Sequence, residues 1–267
     1  MKNLRINLFV AAMAGMLALV SCNPIEPSTY TTTFNRIVTV RNNGDVAWLS
    51  LDNTNQITLK NFRTSADMDA FGVRMGNRAI AQITFSTVAN AGQGTFMLNR
   101  IDTIDFYNLD TAAPSDTARS YVRFDRLPID ASFTYPRIWT NGSFLNFTIT
   151  HYSDYDRKNN VSVSLYPKEL IADTLVLDLC VSVPGNSYRN EPSSTFLCYD
   201  LSSLRKPMAD SITQVRVDSI VAGMLRLGLD SVYVKVKTAD NLNIRDKKDS
   251  LISVSGASQI TRFLFNF

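Results

Sequence analysis

The sequence predicts a mainly β protein, in which an N-terminal OB-like five-stranded barrel is followed by a C-terminal immunoglobulin-like β-sandwich. Apolar and polar residues alternate at every second position through most of the chain after residue 33, as half-buried strands require. No long stretch shows the 3.6-residue periodicity of an amphipathic helix. Of the 267 residues, 45% are hydrophobic and 19% are charged, which excludes a disordered chain.

The first residues have the organisation of an export signal. Lys2 and Arg5 form a short basic region, and an apolar run of signal-peptide length covers residues 8–20. A run of this length is too short to cross a bilayer, which needs about 20 apolar residues. It ends in Leu19-Val20-Ser21-Cys22, which resembles the lipobox of bacterial lipoproteins. The resemblance implies that residues 1–21 are removed and that the cysteine is lipidated.

The segment after the signal is the predicted connection between lipid and fold. Residues 22–33 contain the lipidated Cys22 and a stretch rich in Pro, Ser and Thr, which is typical of an extended tether. Asn23 rather than Asp follows the cysteine, so by analogy with the sorting rule of some bacteria nothing argues for retention in the inner membrane. We therefore expect a lipoprotein anchored in the outer membrane by its acyl chains. Either face of that membrane is compatible with the sequence.

Residues 34–108 are predicted to form the OB-like barrel. Asn43-Gly44 lies between the first two alternating stretches, and this pair is a strong hairpin signal because both residues accept the positive φ of a type I′ turn. Three further alternating stretches follow at about residues 56–60, 79–85 and 96–107. Five strands in so short a span predict a small closed barrel of the OB type.

The C-terminal part of the chain is predicted to be a separate domain. Residues 109–119 are polar, contain Pro114 and interrupt the alternation, so they are the predicted linker. Strand patterns then recur through residues 120–267. In residues 232–237 Val alternates with Tyr and Lys, which indicates a sheet with one face on a core and the other in water. The spacing of these strands predicts an immunoglobulin-like sandwich.

Three stretches of the mature chain carry a resemblance to a known family. They are residues 137–147, 196–204 and 230–236. Together with the lipobox they resemble the NigD-like lipoproteins of Bacteroidota, and the similarity runs in order through essentially the whole mature chain. The resemblance implies an OB-like domain followed by a β-sandwich. The family is named for an operon linked to a bacteriocin-type protein, so the resemblance also implies a link to such a locus.

Residues that could carry catalysis are scarce. His151 is the only histidine, which excludes a Ser/His/Asp or Cys/His arrangement unless this residue is the base. It follows Leu145, Phe147 and Ile149 at every second position, so we expect it to point inward as a histidine at the core edge. One His and two spare Cys in separate strands cannot form a standard zinc site. We expect no catalytic residue, no metal and no cofactor.

The two cysteines of the C-terminal domain are candidates for a disulfide bond. Cys180 and Cys198 each alternate with inward-facing aliphatic or aromatic residues, which places both on the outer face of a predicted hairpin. The compartment outside the cytosol permits a disulfide. Free thiols are the alternative.

A tripeptide of Asp, then Ser or Thr, then an aliphatic residue recurs through the chain. It looks like the acceptor motif of the general protein O-glycosylation system of the same phylum. The alternative interpretation is that Asp-Ser/Thr is a turn pair that opens a strand. The candidate acceptors are Thr103, Thr111, Thr117, Thr174, Ser211, Ser219, Ser231 and Ser250.

The charge of the mature chain argues against a nucleic-acid partner. The formal net charge is +3, from 27 basic and 24 acidic side chains, but Lys2 and Arg5 leave with the signal peptide. No dense basic and aromatic stripe remains. The expected partners are the membrane, through the lipid anchor, and an unknown envelope protein, peptide or glycan. The sequence therefore favours a non-catalytic binding module of the cell envelope, and a carboxylate-based hydrolase or glycan-processing accessory protein is the alternative.

The lipid anchor gives the first testable prediction. Cys22→Ala removes the thiol that would carry the diacylglyceryl group, so the protein should move from the membrane fraction to the soluble envelope fraction. Fractionation and immunoblotting measure this. Ser28→Ala, in the same segment, is the control that should stay in the membrane fraction, and membrane attachment of the Cys22 variant would contradict the prediction.

Overall fold

The computed structural model describes residues 29–52, 56–88, 94–110, 122–131, 133–153, 162–182, 191–204, 222–223, 231–238, 242–245, 251–254 and 257–264. Strands dominate these residues, and the prediction of a mainly β protein is confirmed. The helix α1, Ser65–Ala70, has six residues. Among the described residues, no helix has the length and apolar content to span a membrane.

Five strands and α1 form the N-terminal unit. The strands are β1 (Thr29–Asn42), β2 (Ala47–Leu51), β3 (Gln56–Ile57), β4 (Arg78–Val88) and β5 (Gly94–Ile104). The sheet has the order β3-β2-β1-β4-β5, and all neighbouring strands are antiparallel. Val38, Val40, Leu49 and Ile83 are fully buried in its core.

The N-terminal sheet is curled but is not the closed barrel that the sequence predicted. Leu59, just after β3, makes an isolated parallel bridge to Phe96 of β5. The Lys60 N–H donates to the Phe96 carbonyl at 2.8 Å, so the two edges of the sheet meet at this point. Because β3 has only two residues, its edge offers too few backbone groups for a continuous ladder with β5.

The hairpin predicted at Asn43-Gly44 is present, with a longer loop than a type I′ turn has. β1 and β2 pair up to Asn42 and Ala47, which leaves the four residues 43–46 in the loop. Gly44 has a φ of 100°, and its N–H donates to Asn42 Oδ1 at 2.7 Å. The glycine therefore supplies the positive φ, and the side chain of Asn42 fixes the turn.

The first strand starts earlier in the chain than the sequence suggested. Residues 29–33 pair with residues 84–88 of β4, although they lie within the predicted tether of residues 22–33. Four of these five residues are threonines, and β-branched side chains favour strands. The tether prediction was therefore wrong for these residues, and residues 22–28 lie outside the described part of the chain.

The short helix begins with a reciprocal capping box. Thr64 Oγ1 accepts a hydrogen bond from the Asp67 N–H at 3.3 Å, and Asp67 Oδ2 accepts one from the Thr64 N–H at 2.9 Å. These two bonds satisfy N–H groups that a helix start leaves without intrahelical partners. They also lower the pKa of Asp67, to which the backbone N–H of Arg63 contributes most.

The remaining strands form the C-terminal unit. They are β6 (Tyr107–Asn108), β7 (Val122–Asp125), β8 (Leu127–Asp130), β9 (Phe133–Tyr135), β10 (Ile138–Asn141), β11 (Phe144–Ser153), β12 (Ser162–Ile171), β13 (Thr174–Ser182), β14 (Glu191–Asp200), β15 (Ser231–Thr238), β16 (Leu242–Arg245), β17 (Leu251–Val254) and β18 (Ser258–Leu264). One sheet, the inner sheet, has the order β10-β11-β14-β6, with β7 also paired to β11. The other, the outer sheet, has the order β12-β13-β15-β18.

The inner and outer sheets pack face to face as a sandwich. Their shared core contains Phe147 and Leu197 from the inner sheet and Leu177 and Val234 from the outer sheet. Two strand pairs, β14–β6 and β13–β15, are parallel, whereas the sheets of an immunoglobulin sandwich are antiparallel.

The boundary between the two units lies earlier than residues 109–119. Tyr107 and Asn108 pair with β14 of the inner sheet, although they were assigned to the barrel. Leu109 is buried in the sandwich core, and the Asp110 N–H donates to the Leu165 carbonyl at 2.8 Å. The chain therefore enters the sandwich through a strand, and residues 111–121 lie outside the described part.

The outward face of the inner sheet packs against the N-terminal unit. Ile37 of β1 and Trp139 of β10 belong to one buried cluster with Tyr135, and partly buried residues of the β8–β9 hairpin pack against it. Tyr135 stacks on Trp139 with ring centroids 4.6 Å apart. The inner sheet is thus covered on both faces, which explains why residues 144–151 of β11 are all buried.

Candidate functional site

A buried ion pair lies between the N-terminal unit and the inner sheet. Arg78 is the first residue of β4, and Asp52 directly follows β2. The guanidinium group binds the carboxylate with both of its terminal nitrogens, at 2.6 Å for each bond. Neither side chain has any exposed surface. We call Arg78 and Asp52 the junction pair.

Side chains of the inner sheet complete the coordination of the Asp52 carboxylate. Trp139 Nε1 donates to its Oδ2 at 2.8 Å, and Asn141 Nδ2 donates to its Oδ1 at 2.7 Å. Each carboxylate oxygen therefore accepts one bond from Arg78 and one from β10. Two of the four bonds, those from Trp139 and Asn141, join Asp52 of the N-terminal unit to the inner sheet.

The Arg78 side chain also contacts both units. Nη1 donates to Thr39 Oγ1 of β1 and Nη2 donates to Asn146 Oδ1 of β11, each at 2.9 Å. The guanidinium carbon lies 5.0 Å from the centre of the Phe144 ring, which is within cation–π distance. Burial alone would lower the pKa of Arg78, but the hydrogen bonds and charge of Asp52 outweigh it and raise this pKa. Arg78 therefore stays charged.

These contacts make the junction pair structural rather than catalytic. All four hydrogen bonds to Asp52 come from protein side chains, so the carboxylate is fully coordinated. The nearby Cys198 thiol is buried, and burial raises its pKa to about 11 in spite of the opposing charge of Arg78. A thiol with this pKa is a poor nucleophile at neutral pH.

A polar cleft opens inside one end of the sandwich. It has a volume of about 270 Å³ and is lined by the hydroxyl-bearing side chains of Tyr107, Ser193, Thr195 and Tyr199, by His151, and by Val163 and Leu197. We call this the sandwich cleft. It combines strands β6, β11 and β14 of the inner sheet with β12 of the outer sheet.

His151 is a nearly buried side chain in the wall of the sandwich cleft. It is 3% exposed, so the expectation of an inward-facing histidine is confirmed. Its Nε2 lies 3.3 Å from Thr195 Oγ1, whereas its buried Nδ1 has no hydrogen-bond partner among the described residues. A buried polar atom left without a partner costs about 1–3 kcal/mol. Burial also lowers the pKa of His151, so the imidazole is neutral at pH 7.

A second depression lies on the N-terminal unit. It has a volume of about 400 Å³ and is lined by apolar side chains, including Val46, Trp48, Ile57 and Phe62, with Arg63 among the polar ones. Val46 is 50% exposed. A neighbouring depression shares Ile57 and Arg63 and reaches β5 where the sheet does not close. We call the two together the N-terminal groove.

Cys180 and Cys198, the two candidates for a disulfide bond, lie in different sheets. Both cysteines are buried, and they are not bonded to each other. Cys180 lies on β13 of the outer sheet and Cys198 on β14 of the inner sheet, and these strands do not pair. Their neighbours Leu179 and Leu197 face the shared core, so the two thiols point away from that core on opposite sides. The predicted hairpin does not form because the chain crosses between sheets.

The remaining predicted sites are only partly described. Thr103 is exposed on β5, Thr174 and Ser231 are partly exposed, and Arg262 Nη2 donates to Ser231 Oγ at 3.0 Å. O-glycosylation of these residues stays a prediction. The other candidates, together with Cys22, lie outside the described residues: Thr111, Thr117, Ser211, Ser219 and Ser250. In the described ranges, no three His, Cys, Asp or Glu side chains are placed to hold a metal ion.

The sequence did not identify the junction pair. Asp52 lies directly after the alternating pattern of β2, and Arg78 opens an apolar strand. A charged residue next to an apolar strand, as at Asp52 and Arg78, was the one sequence feature that could have pointed to a buried ion pair. Nothing in the local pattern indicates that two residues 26 positions apart bind one another.

The junction pair gives a prediction for stability. Arg78→Met leaves the Asp52 carboxylate buried without its cation, so the free energy of unfolding should fall by about 3–5 kcal/mol. The double variant Arg78→Met/Asp52→Leu should lose less, because no uncompensated charge remains. Urea denaturation measures both. Arg100→Met, in an exposed ion pair with Asp102, is the control and should cost about 0–1 kcal/mol. Additive losses in the double variant would show that the residues do not act as a pair.

His151 gives a prediction for pH dependence. Because burial lowers its pKa below the ordinary value of 6.5, the unfolded chain takes up a proton before the folded protein does. Stability from the neutral imidazole is complete above about pH 6.5 and falls as the pH drops toward the folded-state pKa. His151→Gln should therefore reduce the loss in melting temperature between about pH 7 and pH 5.5. Circular dichroism measures the melting temperatures, and identical pH profiles for the two proteins would argue against this origin.

Comparison with known proteins gives similarity of fold. No protein-family model and no curated protein matches the chain. A predicted lipoprotein from Bacteroides fragilis is 12% identical with a TM-score of 0.48, covering 88% of this chain and 99% of its own. A predicted toxin-related protein from Parabacteroides distasonis is 12% identical with a TM-score of 0.47, covering 87% and 94%. A NigD-like immunity protein from Bacteroides caccae is 10% identical with a TM-score of 0.40, covering 84% and 91%.

Proposed function

We propose that the protein is a non-catalytic lipoprotein of the outer membrane that binds a protein partner of the envelope through the N-terminal groove. The groove is the observation that carries this proposal. It exposes Val46 and part of Trp48 beside the apolar core of the unit, to which the lining residue Phe62 belongs. An exposed apolar patch with polar residues at its edge is typical of a protein-binding surface.

The side chains of the groove indicate the chemistry of the partner. Trp48 offers a large aromatic surface, and aromatic residues are enriched at the centre of protein interfaces. Lys60 and Arg63 are exposed beside it, whereas Asp45 is the acidic residue among its lining. The charge balance of the groove favours a segment with apolar and acidic side chains.

The arrangement of the N-terminal strands supports an OB-like assignment for this unit. The sheet order is β3-β2-β1-β4-β5, α1 lies between β3 and β4, and a parallel bridge joins Leu59 to Phe96. OB folds bind their ligands on the face of strands 2 and 3 and at the adjoining loops. In this protein the groove lies at β2, β3 and the loop of residues 43–46.

The junction pair supports a role in display rather than in chemistry. Because Asp52 and Arg78 bind β10 and β11 of the inner sheet, the N-terminal unit is held in one orientation on the sandwich. A lipid anchor at Cys22 would hold the two joined units at the membrane. The groove would then be presented at the membrane surface in a fixed orientation on the sandwich. The link to a bacteriocin locus is a narrower form of the proposal and rests on the family resemblance of the sequence alone.

Site-specific photo-crosslinking in living cells tests the proposed interface. A photoreactive amino acid replaces Trp48, and the same amino acid at Tyr233, which is 44% exposed on the outer sheet, is the matched control. We expect a covalent adduct with one envelope protein from position 48 and none from position 233. Arg63→Glu should reduce the adduct by placing an acidic residue against an acidic partner segment. No adduct at position 48, or the same adducts at both positions, would refute the proposal.

A further inference from the structure

The interior of the sandwich changes from apolar to polar along two neighbouring strands. On β14 the inward-facing residues Tyr199 and Leu197 are buried in the core, but the same face continues with Thr195 and Ser193, which line the cleft. β14 is otherwise an ordinary core strand. Its polar end therefore has no role in the apolar core of the sandwich.

The paired strand β11 makes the same change at the same level. Its inward-facing series runs Leu145, Phe147 and Ile149 in the core and then His151 in the cleft. His151 pairs in register with Ser193 of β14. Two adjacent strands thus place hydrogen-bonding groups together where further aliphatic residues would have filled the space.

Aromatic rings form a further part of the cleft. Tyr107 of β6 is 51% exposed, whereas Tyr199 is 1% exposed. Their ring centroids are 5.7 Å apart and the planes are inclined by 44°. The pair gives the cleft an apolar surface in addition to two phenolic hydroxyl groups.

The His151 imidazole is the feature that points to a ligand. It is almost completely buried, one nitrogen contacts Thr195, and Nδ1 has no partner within the described ranges. Buried polar atoms in proteins are nearly always hydrogen-bonded. A small molecule in the cleft with a hydroxyl group facing this nitrogen would supply the missing bond.

We propose that the sandwich cleft is a binding site for a neutral sugar unit. Among the described residues that line it, five have hydrogen-bonding side chains and none is Lys, Arg, Asp or Glu. The Asp110 carboxylate, whose charge acts on Tyr199 of the cleft, accepts hydrogen bonds from the Ser164 hydroxyl and the Leu165 N–H, each at 2.8 Å. A sugar offers several hydroxyl groups to such a surface, and its apolar C–H face suits a tyrosine ring. Small-molecule sites with a few placed polar groups and aromatic walls are of this kind.

This site is distinct from the N-terminal groove and does not depend on the function proposed for it. In the part of the chain that the structure describes, no residue lines both the sandwich cleft and the groove. Sugar binding at the cleft should therefore be unchanged in Trp48→Ala.

Ligand-observed NMR tests this inference. The full lipoprotein is used, in detergent micelles that contain no sugar headgroup. The probes are glucose, galactose, mannose, fucose, xylose and N-acetylglucosamine at millimolar concentration. We expect saturable binding of at least one of them. The binding should weaken roughly ten-fold or more in Thr195→Val and in His151→Phe, because each change removes a hydrogen-bonding group that lines the cleft.

Matched variants separate the site from a general effect on the fold. Thr33→Val removes a threonine hydroxyl that bonds Thr84 on the N-terminal sheet, and it should bind the sugar within two-fold of the unchanged protein. If His151→Phe does not fold, Thr195→Val carries the test, since valine has nearly the shape of threonine. Absence of binding by all six sugars, or equal binding by the unchanged protein and Thr195→Val, would overturn the inference.

Discussion

The buried contact between Arg78 and Asp52 is the interaction on which the rest of the structure depends. Moving two charges out of water costs several kcal/mol for each ion, and only close geometry with further hydrogen bonds recovers this cost. Here two short bonds join the pair, and Trp139, Asn141 and Asn146 of the inner sheet bind it as well. Arg78 and Asp52 both belong to the N-terminal unit and would stay paired if the units separated, but the hydrogen bonds to Trp139, Asn141 and Asn146 would be lost. The pair thereby selects one relative orientation of the two units.

That orientation explains an unusual property of the inner sheet. A sheet in a two-layer sandwich normally buries one face, but β11 is buried on both, since its second face packs against β1 and the β8–β9 hairpin. The described strands therefore form three main layers: the N-terminal sheet, the inner sheet and the outer sheet. The same arrangement separates Cys180 from Cys198, because β13 and β14 belong to different layers.

The two candidate binding surfaces arise from places where this packing is incomplete. The N-terminal groove exists because the two-residue strand β3 cannot complete a ladder with β5. The sandwich cleft exists because β11 and β14 end in polar residues where the shared core stops. Neither surface overlaps with the junction pair, so a ligand at either one would leave the contact between the units intact. Binding and structural integrity are therefore assigned to different residues.

The sequence by itself determined the elements whose signals are local. Two-residue alternation revealed the strands, Asn43-Gly44 marked the first hairpin, and the position of His151 after Leu145, Phe147 and Ile149 placed it facing inward. Only the tertiary structure decided which strands share a sheet. Strand pairing in turn placed the two cysteines in different sheets, left the N-terminal sheet open at one edge and set which residues line the cleft. The physical reason is sequence distance: Asp52 lies 26 residues from Arg78 and 87 from Trp139. Alternation reports which face of a strand is buried but carries no information about the partner that buries it.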